Sequence, residues 1–218
     1  MPGSVVLSEG TGYLSESWLD RTTNPPLDGS NTSMAWVNLI AAGTGYDILM
    51  YVNGIQIGKH AGVLWLSDGP NDPVGSISFD FGRWYHIALV IDSTTAPYAF
   101  GYLNGVLEVT PGMNMGYGGT LISLGSAGAG NFGRVRLSCA KFWDRVLTPD
   151  EIKAEMYYAL PVSRVGLNSC YPMPNRQDLL SAGVPPMRAN CDPLADWSGN
   201  GLKWTWNGNV TLGPGPRL

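Results

Sequence analysis

The residues best suited to chemistry in this sequence are the oxygen-bearing side chains of a short segment, residues 67–73. Its sequence, Ser-Asp-Gly-Pro-Asn-Asp-Pro, brings together Asp68, Asn71 and Asp72. Calcium takes about six to eight oxygen ligands from carboxylates, amides and carbonyls. The segment is therefore a candidate calcium site, which Asp47 or Asp92 would complete from a neighbouring loop. An ordinary polar surface loop has the same composition, and the sequence leaves both interpretations open.

Tryptophans are the second group that could do chemistry, because a flat aromatic ring can stack on the face of a sugar. The chain contains 8 of them. Trp18, Trp65 and Trp197 lie beside predicted loops rather than within the densest apolar runs, and we take them as candidate carbohydrate platforms. The alternative for each is burial in the core, where most of the tryptophans are expected.

Catalytic groups are not indicated by the spacing of acidic residues or histidines. Glycoside hydrolysis needs two carboxyl groups about 5 to 9.5 Å apart, and Glu151 and Glu155 instead have the spacing of a solvated helix face. His60 and His86 have no Gly-x-Ser-x-Gly nucleophile motif to accompany them. His86 lies in the middle of a predicted strand and is expected to be structural. We predict a non-enzymatic protein without catalytic residues.

The elements that would position these side chains are short β-strands joined by tight turns. The chain has 218 residues with 29 Gly, 16 Pro and only 14% charged residues, a composition typical of all-β proteins with many turns. Asn53-Gly54 and Asn104-Gly105 each stand between β-prone segments, which is the strongest local signal for a two-residue hairpin. Residues 84–91 are apolar on both alternating faces, so they predict a strand that is covered on both sides.

One helix and a change of composition suggest the domain organisation. Thr148-Pro149-Asp150-Glu151 combines a Thr N-cap, Pro at the first helical position and Glu completing a capping box. The predicted helix ends near Tyr158. We predict one domain over residues 1–159, followed by a Pro- and Gly-rich C-terminal arm over residues 160–218. The arm is expected to contain one or two strands and to pack on its own domain or on a neighbouring subunit.

The three cysteines, Cys139, Cys170 and Cys191, do not have the spacing of a zinc site. Cys139 lies in a predicted strand and is expected to be a small buried apolar residue. Cys170 and Cys191 flank a Pro-rich segment. They would form a disulfide in an oxidising compartment and stay reduced elsewhere.

Charge and hydropathy exclude two classes of partner. The net charge is −4 with 13 Lys and Arg, whereas nucleic-acid binding needs a clustered basic patch. No apolar run approaches the roughly 18 residues of a membrane helix, so membrane insertion is not expected. Residues 1–9 lack the basic and apolar regions of an export signal. The protein is therefore expected to reach the outside of the cell by another route, such as the release of phage by lysis, or to have had a signal removed.

Four segments together resemble a known family. They match, in order and spacing, the laminin-G-like members of the concanavalin A-like lectin/glucanase superfamily over about residues 5–158. The segments are Gly-Arg-Trp-Tyr-His-Ile-Ala-Leu-Val-Ile-Asp (82–92), Tyr-Leu-Asn-Gly-Val-Leu-Glu (102–108), Ile-Ser-Leu-Gly-Ser (122–126) and Ala-Lys-Phe-Trp-Asp-Arg-Val-Leu-Thr-Pro-Asp-Glu-Ile (140–152). The resemblance implies an all-β, two-sheet antiparallel jelly-roll sandwich with one short helix and the extended C-terminal arm.

The resemblance also bears on ligands. Many members bind calcium on loops at the rim of the sandwich, which is the second reason for considering Asp68, Asn71 and Asp72. Asp-Trp-Ser-Gly-Asn-Gly at residues 196–201 resembles a segment that usually precedes such domains, whereas here it follows the jelly roll. The superfamily includes lectins, glycosidases, adhesion modules and virion proteins, so the fold alone does not decide the activity.

These observations favour a non-enzymatic surface or structural module. The leading hypothesis is a phage virion decoration or fibre-associated protein with a glycan-binding surface, located on the virion or outside the cell. Its partners would be other virion or surface subunits, further copies of itself in a homo-oligomer, and polysaccharide. The alternative is a secreted bacterial carbohydrate-binding or adhesion domain. Calcium is the one cofactor considered.

Overall fold

A computed structural model of the chain describes residues 3–8, 18–22, 29–41, 46–68, 74–96, 98–110, 121–125, 134–172, 196–202, 205–207 and 209–214. Within these ranges the chain forms fifteen strands and one helix. The elements are β1 (Gly3–Ser8), β2 (Trp18–Thr22), β3 (Asn31–Ala41), β4 (Tyr46–Val52), β5 (Ile55–His60), β6 (Val63–Ser67), β7 (Val74–Ser78), β8 (Tyr85–Ile91), β9 (Ala99–Leu103), β10 (Val106–Val109), β11 (Leu121–Leu124), β12 (Arg134–Trp143), α1 (Pro149–Met156), β13 (Leu167–Tyr171), β14 (Thr205–Asn207) and β15 (Asn209–Pro214). None of the described helical structure is long and apolar enough to cross a bilayer.

The strands form two antiparallel sheets. Sheet A has the order β10-β9-β8-β3-β12-β1-β15, with β13 also paired to β12, and sheet B has the order β14-β2-β11-β4-β5-β6-β7. The main apolar cluster draws residues from both sheets, among them Leu39 and Ile87 of sheet A and Met50 and Leu66 of sheet B. The predicted jelly-roll sandwich is confirmed.

Strand β8 is buried along its whole length, as its sequence predicted. Ile87 and Leu89 point into the core between the sheets. Ala88 and Val90 point the other way, into a second apolar cluster with Trp143 and with Ile152 of α1. The strand is apolar on both faces because a sheet covers one face and the helix covers the other.

Two hairpins follow directly from Asn-Gly pairs. Asn53 and Gly54 have φ angles of 50° and 96° in the turn between β4 and β5. Asn104 and Gly105 have φ angles of 51° and 75° in the turn between β9 and β10. Two consecutive positive φ angles define the type I′ turn, so both predictions are confirmed.

Two features have no clear local signal in the sequence. Ala61 and Gly62 have φ angles of 49° and 90° and form a third hairpin turn, so β6 begins at Val63. Strand β2 lies in a polar stretch of the chain. Alanine gives little signal for positive φ, and β2 is stabilised by hydrogen bonds to the sequence-distant β11 and β14.

A bulge in β12 determines which of its side chains face α1. Val135 and Leu137 belong to the core cluster, and so do Ala140 and Phe142. The alternation shifts between these pairs because the register with β3 shifts there and Cys139 adopts a φ of 51°. As a result, the side chains of Lys141 and Trp143 point outward, toward the helix.

Helix α1 is capped as predicted. The Thr148 side chain accepts a hydrogen bond from the Glu151 backbone, and the Glu151 side chain accepts one from the Thr148 backbone. The helix ends at Met156, two residues before the predicted position. Glu155 was expected on a solvated face, but it is 2% exposed and its Oε2 lies 2.9 Å from Lys141 Nζ. The periodicity of the helix alone could not show that the bulge in β12 places Lys141 next to Glu155.

The described strands of the C-terminal arm join both sheets. β13 pairs with β12, β14 pairs with β2 in sheet B, and β15 pairs with β1 in sheet A. The boundary between residues 159 and 160 stays a prediction. Cys191 lies outside the described residues, so its pairing with Cys170 is not described. Burial raises the pKa of the Cys170 thiol to about 12.

The Asp-Trp-Ser-Gly-Asn-Gly segment packs against β13. Asp196 Oδ1 accepts hydrogen bonds from the backbone N–H of Cys170 (3.0 Å) and of Ser198 (2.9 Å). Asn200 Nδ2 donates to Asn168 O at 2.7 Å. The polar residues of this motif therefore fix residues 196–200 to β13, which is itself part of the arm and pairs with β12 of the domain.

Candidate functional site

The outer face of sheet B, opposite its core face, carries a compact group of polar and aromatic side chains. Ile55 and Ile57 of β5 point into the core, so Gln56, Gly58 and His60 lie on the outer face. The register places three residues across β4, β5 and β6 in each of three rows. The rows are Tyr51-Gln56-Ser67, Ile48-Gly58-Trp65 and Tyr46-His60-Val63. We call these nine positions the sheet B face.

Burial differs between the rows of the sheet B face. In the middle row, Ile48 is 1% exposed and Trp65 is 3% exposed. Tyr51 and Gln56 on one side are half-buried, and so are Tyr46 and His60 on the other. The face therefore has a buried floor between two rows that present aromatic and amide groups.

Aromatic contacts fix the geometry of one row. The rings of Tyr46 and His60 are stacked, with centroids 4.0 Å apart and an interplanar angle of 5°. The ring of Trp65 packs against Tyr46 at 5.1 Å and 55°. The buried tryptophan thus packs against the half-buried Tyr46 ring, which is stacked on the ring of His60.

Gly58 in the centre of the face is required by a close approach of two strands. A Cβ at this position would overlap the backbone oxygen of Asp47. The approach coincides with the register shift between Ile48 and Met50 in β4. Any side chain at this position would collide with the β4 backbone, so only glycine fits between Gln56 and His60.

A charged group lies at the Tyr46 end of the sheet B face. Asp47 of β4 pairs in register with Lys59 of β5. Burial lowers the pKa of Lys59, and the nearby carboxylates of Asp47 and Asp80 partly offset this. Lys59 Nζ also lies 3.4 Å from the centroid of the Phe81 ring. These contacts hold the end of the sandwich together.

The predicted calcium ligands are only partly described. Asp68 follows β6 and is 4% exposed, while Asn71 and Asp72 lie outside the described residues. Asp47 of β4 is level with Lys59 of β5 and Leu64 of β6. Leu64 lies four residues before Asp68. Four residues of strand span about 13 Å, so Asp47 and Asp68 lie at opposite ends of the sheet.

The other proposed calcium ligand, Asp92, closes a turn. Its Oδ1 accepts hydrogen bonds from Thr94 N at 2.9 Å and Thr94 Oγ1 at 2.6 Å, which lower the pKa of the carboxyl group. Among the described residues, no three His, Cys, Asp or Glu side chains are grouped as metal ligands.

The three candidate tryptophans are not brought together. Trp65 is buried under Tyr46. Trp18 begins β2 in the same sheet and pairs with Asn207, but β2 and β6 are four strand intervals apart, about 19 Å. Trp197 is half-buried beside sheet A and donates its backbone N–H to Cys170 O at 2.7 Å. Sequence reasoning missed Tyr46, Tyr51, Gln56 and His60, because strand register alone places them beside one another.

Several described carboxylates are engaged in structural contacts. Asp80 bonds Arg83, Ser78 and Tyr85, and Glu151 caps the helix. Glu155 is held by Lys141 and Asp196 by the backbone of β13. His86 is 2% exposed, and burial together with the nearby Lys141 lowers its pKa to about 3. His86 therefore stays neutral above this pH, and its structural role stays a prediction.

Comparison with protein families matches residues 19–153 to the laminin-G family of the concanavalin A-like lectin/glucanases superfamily. The chain belongs to this superfamily. The resemblance that the four sequence segments carried is thereby confirmed. A comparison with curated proteins found no match.

Solved structures show the same fold at low identity. A putative carbohydrate binding protein from Bacteroides ovatus superposes with a TM-score of 0.64 and 16% identity, over 98% of this chain and 60% of that protein. A native heptameric SAP-like pentraxin from Limulus polyphemus superposes with a TM-score of 0.59 and 16% identity, over 98% of this chain and 95% of the pentraxin chain. A Trypanosoma rangeli sialidase in complex with sialic acid superposes with a TM-score of 0.50 and 11% identity, over 69% of this chain and 32% of the sialidase. The chain thus spans 60% of the length of the Bacteroides protein.

Proposed function

We propose that this protein is a non-catalytic carbohydrate-binding module and that the sheet B face is its glycan site. The observation that carries the proposal is the buried floor of Ile48, Gly58 and Trp65 between two half-buried rows of aromatic and polar side chains. Membership of a lectin/glucanase superfamily and the fold shared with a putative carbohydrate binding protein support it.

Recognition would combine stacking and hydrogen bonds. The half-buried rings of Tyr46 and His60 would make apolar contacts with the C–H groups of a sugar ring. The Tyr51 hydroxyl and the Gln56 amide, in the opposite row, offer donors and acceptors to its hydroxyl groups. Turnover is not part of the proposal, because the carboxylates with defined contacts are occupied in structural bonds.

The test is glycan-array binding of the whole chain with variants of the sheet B face. Gln56→Ala and His60→Ala should each raise the Kd for the best glycan about tenfold, corresponding to ~1.4 kcal/mol. Leu107→Ala, at an exposed position on β10 away from this face, is the matched control and should bind like wild type. Unchanged binding by the face variants, with loss in Trp18→Ala or Trp197→Ala, would move the site to those tryptophans.

Calcium is an additional proposal for the same module. The acidic segment containing Asp68, Asn71 and Asp72 would bind the ion near the end of β6. Repeating the array with a chelator tests this, since a calcium-dependent site loses binding and regains it when calcium is added back. Binding unchanged by the chelator removes calcium from the proposal.

An assembly role is the second candidate function. The protein would decorate a phage virion or its fibres, or alternatively act as a secreted bacterial adhesion module. An exposed apolar surface after α1 favours a role in protein contacts. Mass spectrometry and electron microscopy of native particles test it: repeated copies on the particle surface support the virion role, and absence from particles contradicts it.

A further inference from the structure

The segment that follows α1 presents large apolar side chains to solvent. Their exposed fractions are high: Tyr157 62%, Tyr158 58%, Leu160 46%, Val162 58% and Val165 73%. We call these five residues the apolar ridge. Single exposed apolar residues are ordinary on protein surfaces, but five within nine consecutive positions form a patch.

The backbone of the apolar ridge is held by hydrogen bonds to side chains of the rest of the domain. Trp36 Nε1 donates to Met156 O at 3.0 Å and Trp143 Nε1 donates to Ser163 O at 3.1 Å. Ser163 N donates to Glu155 Oε1 at 2.8 Å, and Arg145 Nε donates to Val165 O at 2.9 Å. A partner would therefore meet a surface that is already ordered, which reduces the entropy lost on binding.

The size of the surface fits a contact between protein subunits. Val146, 36% exposed, extends it, since Arg145 bonds the carbonyls of both Val146 and Val165. With ~150–250 Å² for a fully exposed large side chain, the six residues present on the order of 600 Å². A standard interface buries about 800 Å² on each partner. The ridge with its immediate surroundings supplies most of that area.

Charges of both signs flank the ridge. Asp150 and Lys153 on α1, and Arg164 between the apolar residues, are exposed, and none forms a salt bridge within the described residues. A surface that carries exposed charges of both signs can pair with a copy of itself, because a two-fold contact can set an acidic residue of one copy against a basic residue of the other. An anionic lipid surface would instead favour basic flanks alone.

We propose that the apolar ridge is a two-fold symmetric contact between two copies of this chain. The apolar ridge would thus be the surface through which the chain forms a homo-oligomer. It is independent of the glycan site, because the ridge follows the helix that covers sheet A, whereas the sheet B face lies on the other sheet.

Sedimentation equilibrium of the whole chain from about 1 to about 200 µM tests the proposal. Wild type should be a dimer at the upper concentrations, and Val165→Glu and Tyr158→Ser should each raise the dimer dissociation constant at least about tenfold. Val74→Glu, at a 50% exposed position on β7 of sheet B, is the matched control and should leave it unchanged. Thermal unfolding of each variant verifies that the fold is retained.

Charge reversal provides a second, independent readout. Asp150→Lys and Arg164→Glu should each weaken self-association, and an equimolar mixture of the two variants should associate more strongly than either alone. A wild-type chain that is monomeric throughout the range overturns the proposal. So does a dimer that is insensitive to both ridge variants, which would show that another surface, or another partner for the ridge, is involved.

Discussion

The positive φ angle of Cys139 determines which side chains of β12 contact α1. The bulge turns Lys141 and Trp143 away from the core, so that Trp143 packs with Ile152 in the outer apolar cluster and Lys141 reaches Glu155. Lys141 Nζ also donates to the backbone oxygen of Glu155 at 2.8 Å. Both side chains are at most 2% exposed, so each charge depends on the other for solvation.

Replacing only one residue of the Lys141–Glu155 pair should lower the free energy of unfolding much more than replacing both. Lys141→Met leaves the Glu155 carboxylate buried without its cation and should lower the free energy of unfolding by about 3–5 kcal/mol. The double variant Lys141→Met/Glu155→Met should recover much of this loss, although Ser163 N then lacks an acceptor. Urea unfolding of the single and double variants measures it. Additive losses in the double variant would show that the two charges are not coupled.

Helix α1 is stabilised at its start by the contacts of Glu151. Arg145 holds this carboxylate with two hydrogen bonds, at 2.7 and 3.1 Å. These bonds and that from the Thr148 backbone lower the pKa of Glu151 from 4.5 to about 2. The helix in turn covers the outer side of β8, so its N-terminal cap contributes to the burial of that strand.

The capping interaction should depend on pH in a defined direction. Because the pKa of Glu151 is lower in the folded chain, its stabilisation is complete above about pH 4.5 and is lost as the pH falls toward 2. Glu151→Gln should therefore cost ~1 kcal/mol at pH 7 and much less near pH 2.5. Chemical unfolding at both pH values measures this, with Asp150→Asn as the neighbouring control. An equal cost at both pH values would contradict the role of the charge.

Across the whole molecule, one carboxylate joins the two sheets at their free edges. Glu108 of β10 ends sheet A, and its Oε2 accepts hydrogen bonds from Ser76 N and Ile77 N of β7, both at 3.1 Å, and from Ser76 Oγ at 3.2 Å. β7 is the last strand of sheet B. Unpaired edge donors invite pairing with other chains, and Glu108 occupies two of them.

Loss of this contact should open the edge of the sandwich. Glu108→Ala should accelerate hydrogen exchange at Ser76 and Ile77, lower stability by about 1 kcal/mol and increase aggregation on heating. Glu108→Gln retains an acceptor oxygen and should lie closer to wild type. Hydrogen exchange by mass spectrometry and light scattering check this. Unchanged exchange in β7 would show that the edge is protected by other means.

Local signals in the sequence predicted the elements that depend on neighbouring residues. The two Asn-Gly hairpins, the capped helix and the doubly buried β8 follow from backbone preference, capping chemistry and periodicity. Strand β2, the Ala61-Gly62 turn and the burial of Glu155 could not be predicted in this way. Each depends on a partner that is distant in sequence or on an alanine forced into an unfavourable conformation.

The sequence by itself indicated an all-β chain, because periodicity and turn residues act locally, and its resemblance to the laminin-G-like family implied the two-sheet sandwich. Only the tertiary structure decided which side chains meet. The sheet B face exists because strand register aligns Tyr51 with Gln56 and Tyr46 with His60. The ridge backbone is held at the surface by hydrogen bonds from Trp36 and Trp143. Register and burial are properties of contacts between distant segments, and no single stretch of sequence contains them.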